Sequence, residues 1–149
     1  MDLKSTAVTF NQQFEEMVRR FPDRIAFRRK TPEGYPTTSY RDAHKQAMGV
    51  ASGLIALGLK GGSRVAILSE NRPEWVIAYL GIYFAGMVAV PLDIQISSRE
   101  WQRLIQDSDS KTVFVSGLLL EKLREEFADS RPPGGGCPVQ RLTALSQAV

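Results

Sequence analysis

The sequence predicts an α/β fold with a parallel-rich sheet and flanking helices, and three observations lead there. Short apolar runs of β-favouring residues recur at Val65–Leu68, at Met87–Val90 and, within Lys111–Val115, at Val113–Val115. Segments of helical periodicity separate them. The runs are apolar on consecutive residues instead of alternating, the pattern of strands buried on both faces. Buried strands joined by helices pair in parallel, and their crossovers wind right-handed.

The elements follow in order. Thr9 with Gln12 three residues on is a capping-box pattern, and Phe10, Phe14, Met17, Val18 and Phe21 then form one apolar stripe. Pro22 ends that helix. Arg24–Arg29 and Tyr35–Ser39 flank the turn residues Lys30-Thr31-Pro32-Glu33-Gly34, which predicts a small N-terminal hairpin. Ser39 and Asp42 cap a second helix, with Ala43, Ala47, Val50, Ala51, Leu54 and Ile55 on its inner side and Gly58 as a left-handed stop.

The organising unit runs from Arg64 to Ile96 and reads strand, turn, helix, turn, strand. Asn71 is expected to cap the helix, Pro73 to sit where no N–H is needed, and Glu74 to favour the positive helix end. Trp75–Ala85 is apolar on every side, which predicts a helix buried all round, followed by a buried strand at Met87–Val90. The 18 uncharged residues from Trp75 to Leu92 are long enough to span a bilayer. Gly81, Gly86, Pro91 and the change to β-type residues speak against a transmembrane segment. Ser97 with Glu100 starts another helix with Trp101, Leu104 and Ile105 inward. Asp107–Ser110 is a turn, Lys111–Val115 a third buried strand, and Leu118–Phe127 a further helix. Residues 1–130 are therefore expected to form one α/β unit. Residues 131–149 read as a Pro/Gly-rich connector and a tail too short for a domain of its own.

Composition narrows the function. The 43% hydrophobic and 23% charged content is that of a globular protein, and 149 residues can bury a core. A formal charge of +3 is mild, and the arginines at 19, 20, 24, 28 and 29 alternate with apolar residues as on a solvated face. No nucleic-acid partner is expected. One cysteine, Cys137, rules out an internal disulfide and suits a reducing compartment, and Met1–Phe10 lacks the apolar core of a signal peptide. A cytoplasmic location is the expectation.

The common catalytic constellations are missing from the chain. No G-x-G-x-x-G follows the first strand, Gly134-Gly135-Gly136 lacks the lysine and hydroxyl of a phosphate loop, and no G-x-S-x-G elbow is present. His44 is the only histidine and Cys137 the only thiol, which leaves too few soft ligands for a transition-metal site. No catalytic or metal-ligating residue is assigned. What remains is a place, because ligands of open α/β sheets bind beyond the carboxyl ends of the strands. Those ends carry Ser69, Glu70, Asn71 and Arg72, then Asp93 and Gln95, then Ser116. Asn71, Arg72 and Asp93 are the candidate substrate-binding residues. The competing reading is that these residues only cap helices and fix turns.

One ordered series of strings is more specific. It runs Thr38-Ser39-Tyr40-Arg41-Asp42, Ala51-Ser52-Gly53-Leu54, Leu57 through Ile67 and Ser69-Glu70-Asn71-Arg72-Pro73-Glu74-Trp75. Gly86 through Asp93, Asp107-Ser108 and Lys111-Thr112-Val113-Phe114 complete it. From Phe10 to Ala128 the chain resembles the N-terminal region of AMP-forming adenylating enzymes, the superfamily of acyl-CoA synthetases, luciferases and peptide-synthetase adenylation domains. The Ser69–Trp75 string is most similar to the long-chain fatty acid–CoA ligase branch. The chain departs from the family pattern at Ala89, where an aromatic or polar residue is usual, and at Ile94, where proline is usual.

The resemblance implies the N-terminal subdomain of the acyl-CoA synthetase-like fold. It implies that the complete enzyme activates an acid with Mg-ATP to an acyl-adenylate and passes the acyl group to coenzyme A. ATP, Mg and CoA belong to that complete enzyme, and no cofactor is expected on this chain alone. The Ser/Thr/Gly-Lys loop, the adenine-contacting segment, the ribose-binding aspartate and the domain with the catalytic lysine have no match here, so no catalytic role carries over. The expected partner is the remainder of the adenylating enzyme, with this chain a truncated and inactive fragment. Two alternatives stay open: an interaction module that pairs with a full-length homologue or itself through an exposed sheet edge, and a non-catalytic acyl-CoA or nucleotide binder.

Overall fold

Thr9 starts the first helix by hydrogen bonds that both close within three residues. Its Oγ1 accepts from the Gln12 N–H at 3.3 Å, and its own N–H donates to Gln12 Oε1 at 2.8 Å. The computed structural model describes residues 9–128 and 142–144. It divides into two compact units, residues 1–45 and 46–149.

In the first unit, helix α1 (Phe10–Arg20) leads into strands β1 (Ile25–Arg28) and β2 (Thr37–Ser39). The strands pair antiparallel with a register shift between Ile25 and Phe27, so the predicted hairpin forms. The apolar stripe of α1 is only half-buried, and Phe14 lies against the rings of Tyr40 and His44 at 6.0 and 6.5 Å. Helix α2 (Tyr40–Ala56) begins in this unit behind Ser39, whose Oγ accepts from the Asp42 N–H at 3.1 Å.

The second unit holds the end of α2 and a four-stranded parallel sheet. Its elements are β3 (Arg64–Leu68), α3 (Pro73–Phe84), β4 (Val88–Pro91), α4 (Ser98–Asp107), β5 (Thr112–Val115), α5 (Gly117–Ala128) and β6 (Leu142–Ala144). The strand order is β4-β3-β5-β6. Ile67 pairs with Pro91 on one side and with Phe114 on the other, and Phe114 pairs with Thr143. From β3 the chain steps one way to β4, then returns past β3 to β5. Right-handed crossovers therefore put α3 on one face of the sheet and α4 and α5 on the other. The core follows: Ala66, Leu68, Val113 and Val115 pack with Trp101, Ile105 and Leu123 of α4 and α5.

Several expectations are corrected. Within the segment 131–149 the described residues Leu142–Ala144 form a strand; the connector read at 131–138 lies outside the described residues. Strand β4 is not buried, because it stands at the sheet edge with Val88 47% exposed, and its Pro91 carries no N–H to offer along that edge. Helix α3 is not buried all round either. It buries Ile77, Ala78, Leu80, Gly81 and Ile82, while Trp75, Tyr79 and Tyr83 form a partly exposed ladder with centroid spacings of 5.2 and 4.8 Å. Ile55 and Leu104 point outward, each one position beyond the buried arc of its helix. The buried α2 positions are Ala43, Ala47, Val50, Ala51 and Leu54. No helix of the described residues is long and apolar enough to cross a membrane.

Helix α4 shows how a local signal becomes a measurable electrostatic effect. Ser97 Oγ and its backbone N–H both donate to Glu100 Oε2, at 2.7 and 3.0 Å, while the Glu100 N–H returns to Ser97 Oγ at 3.3 Å. The Ser97 hydroxyl, then its backbone N–H, hold the Glu100 carboxyl below its ordinary range. A depressed folded pKa gives stability that is present above the unfolded value and lost as pH falls through the folded one. In Ser97→Ala the Glu100 titration should move up toward an ordinary glutamate, read by carbon NMR of its carboxyl. An unmoved midpoint would show that the cap does not set it.

Candidate functional site

Strand β3 is apolar and fully inside from Val65 to Leu68, and the first polar residues after it stand at the carboxyl edge of the sheet. That edge has a particular position here. The chain leaves β3 toward one face and leaves β5 toward the other, so the crevice between these two strand ends is the topological switch point of the sheet.

The crevice is lined by Ser69, Glu70 and Ser116. Ser116 is fully buried and its N–H makes the last ladder bond, to the Leu68 carbonyl at 3.1 Å. Its Oγ then donates to Glu70 Oε1 at 2.9 Å. Ser69, 6% exposed, donates toward Glu70 Oε2 at 3.3 Å and the Glu70 carbonyl at 3.2 Å. The Glu70 carboxylate thus spans two strand ends that lie 46 residues apart in sequence.

Of the three candidate residues, Arg72 is the most constrained. Its Nε and Nη2 donate to the two carboxylate oxygens of Glu74 at 2.9 and 3.0 Å, a two-pronged pair with both side chains about one-fifth exposed. The hydrogen bonds that it donates to Glu74 hold the guanidinium above its ordinary range, with partial burial opposing and the charges of Glu74 and Glu70 adding. Asn71 is exposed and is not the helix cap. Arg72 occupies the cap position in an extended conformation without a side-chain cap bond, and Pro73 takes the first turn. Asp93 is exposed at the end of β4, where its Oδ1 accepts from the Gln95 N–H at 2.8 Å and its carbonyl from Trp101 Nε1 at 2.8 Å. It makes the turn its position requires.

The structure therefore places all three candidates on carboxyl-edge loops, but no hydrogen bond or ion pair among the described residues joins Asp93 to Asn71 or Arg72. The residues it does bring together are Glu70 and Ser116. Both stand in the sequence directly after apolar strands, yet only the register Leu68↔Val115 makes them neighbours. No group of three His, Cys, Asp or Glu among the described residues could hold a metal ion, so no ligand for Mg is assigned here.

A family model described as AMP-binding enzyme matches residues 14–144. The chain is 35% identical over 106 residues to a Mycobacterium tuberculosis CoA ligase named for a methyl-dioxo-octahydroindenyl propanoyl substrate; the match covers 71% of this chain and 20% of that protein. It is 32% identical over 108 residues to the long-chain-fatty-acid–CoA ligase ACSBG2 of Xenopus laevis, covering 72% of this chain and 15% of the relative. The fold superposes on the N-terminal domain of FACL13 from Mycobacterium tuberculosis with a TM-score of 0.77 and 25% identity, over 93% of this chain and 34% of that one. This chain spans about one-fifth or less of the length of the two curated relatives. With the strand order, the crossovers and the family match in agreement, the chain belongs to the AMP-binding enzyme family and has the fold of the N-terminal subdomain of adenylate-forming enzymes.

Proposed function

We propose that this chain is the N-terminal portion of an ATP-dependent fatty acid–CoA ligase, in which it is structural and not catalytic by itself. The complete enzyme would join acid, ATP and CoA to give acyl-CoA, AMP and pyrophosphate. The observation that carries this reading is the family match over residues 14–144, on a chain without a phosphate-binding lysine loop. A fatty acid as substrate is supported by the Ser69–Trp75 string and by a long-chain ligase among the relatives. The chain's part is to supply a sheet whose one face is sealed by α4 and α5, against which the ATP-binding remainder packs.

ATP–pyrophosphate exchange tests both halves of this reading. The complete gene product should exchange with long-chain fatty acids and form acyl-CoA when CoA is added, and the 149-residue chain alone should give no exchange above blank. Exchange by the isolated chain would overturn the structural role. A complete enzyme silent with fatty acids but active with an aromatic or amino acid would overturn the substrate.

A further inference from the structure

We propose that Glu70 is a positioning residue: its carboxylate, held by Ser116 and Ser69, locks the β3–α3 loop to the start of α5 across the switch-point crevice. This goes beyond the family reading, which gives Glu70 no role, and rests on it only in treating the loop as part of a ligand-facing edge.

Three observations carry it. First, the backbone ladder between β3 and β5 ends at the Ser116 N–H on the Leu68 carbonyl, and beyond it the two chains leave toward opposite faces. Nothing in the sheet itself holds them together past that point. The 2.9 Å bond from Ser116 Oγ to Glu70 continues the connection beyond the last ladder bond. Second, the anchor is rigid. Ser116 is fully buried, its carbonyl accepts from the Leu119 N–H at 3.1 Å in the first turn of α5, and Ser69 is 6% exposed. Third, the lock is linked to Arg72. Glu70 adds a weaker Coulombic attraction to the guanidinium that Glu74 grips at 2.9 and 3.0 Å. An ionised carboxylate accepting hydroxyl protons makes a stronger bond than a neutral pair would. A glutamate also has the reach that an aspartate lacks.

The consequence is that one side chain ties the β3–α3 loop to the start of α5, while Arg72 in that loop keeps its direction through Glu74. Glu70→Gln keeps the size and one carbonyl acceptor, Glu70→Asp keeps the charge but shortens the reach, and Ser116→Ala removes the anchor alone. Hydrogen exchange on the full 149-residue chain is the readout, because a merely structural loss would raise exchange throughout the sheet. In Glu70→Asp and Ser116→Ala the amides of residues 116 and 119, which bond the Leu68 and residue-116 carbonyls at the two sides of the loop, should exchange about tenfold faster, with those within β3 and β5 unchanged. Glu70→Gln should fall between these and the parent. The double variant Glu70→Asp/Ser116→Ala should add little to either single one, as expected for two ends of one contact. Unchanged exchange at these amides in both single variants, or additive effects in the double, would overturn the proposal. Since this readout needs no catalysis, its failure is distinct from failure of the ligase reading, which ATP–pyrophosphate exchange alone decides.

Discussion

Replacing Trp101 by alanine should remove a large part of the stability of this fold, on the order of 3–5 kcal/mol, the range for deleting a buried aromatic. The residue is 1% exposed and touches both layers that matter. On the α4–α5 face it packs with Ala66 and Leu68 of β3, Val113 and Val115 of β5, and Leu123 of α5. Its indole N–H donates to the Asp93 carbonyl at 2.8 Å, which ties the loop after β4 to α4, and Lys122 lies over the ring at 5.1 Å. Domains of this size are stable by only about 5–15 kcal/mol, so Trp101→Ala should be marginally folded. Trp101→Phe separates the contributions. It keeps most of the packing and removes the donor, and should cost about 1–2 kcal/mol. Urea unfolding followed by far-UV circular dichroism measures both. An alanine variant within about 1 kcal/mol of the parent would mean that the core is not organised around this ring.

The second large effect is a reversal of helix propensity at Gly81. In an exposed helix, glycine to alanine gains about 1 kcal/mol. At Gly81 of α3 an added Cβ would lie 2.5 Å from Val50 Cγ1, 2.6 Å from Val50 Cβ and 2.8 Å from the Ala47 carbonyl oxygen of α2. The last of these is backbone, so the two helices must separate for the methyl to fit. Overpacking of this kind costs about 1–3 kcal/mol, enough to cancel the propensity gain and exceed it. Gly81→Ala should therefore destabilise, and Gly81→Val should do so by more. Gly53 in α2 is the control: it is exposed and an added Cβ meets nothing within 4 Å, so Gly53→Ala should stabilise by about 0.5–1 kcal/mol. Thermal unfolding of the two alanine variants side by side gives the test. Gly81→Ala more stable than the parent would show that α2 and α3 do not pack through this position.

The two glycines also show how much of the molecule was legible from its residues. Both lie within helices, and the sequence around them does not say what their Cα atoms meet. Gly81 is fixed by contact with α2, Gly53 by its absence. The same holds for the strands. Val88–Pro91 and Thr112–Val115 both read as apolar β runs, yet β4 stands at an edge with one neighbour while β5 has strands on both sides and is wholly buried. On α3 the run Trp75–Ala85 carries no polar residue except tyrosine hydroxyls, so hydropathy alone could not reveal that Trp75, Tyr79 and Tyr83 share a partly exposed side. The candidate site divides likewise. Arg72 stands where expected, but its guanidinium is engaged by Glu74, and Glu70 with Ser116 holds the crevice.

What the sequence determined by itself is the set of elements from α1 to α5, because their signals close within a few residues: the Thr9, Ser39 and Ser97 caps reach three positions along the chain, and Gly58 adopts the left-handed φ of +81° that lets α2 stop. The ordered motifs also determined the family. Only the tertiary structure decided the strand order, the exposed side of α3 and the Glu70–Ser116 bond. Each of these depends on which surfaces compete for the same buried face, and that competition is settled between residues dozens of positions apart, where no local pattern records the outcome.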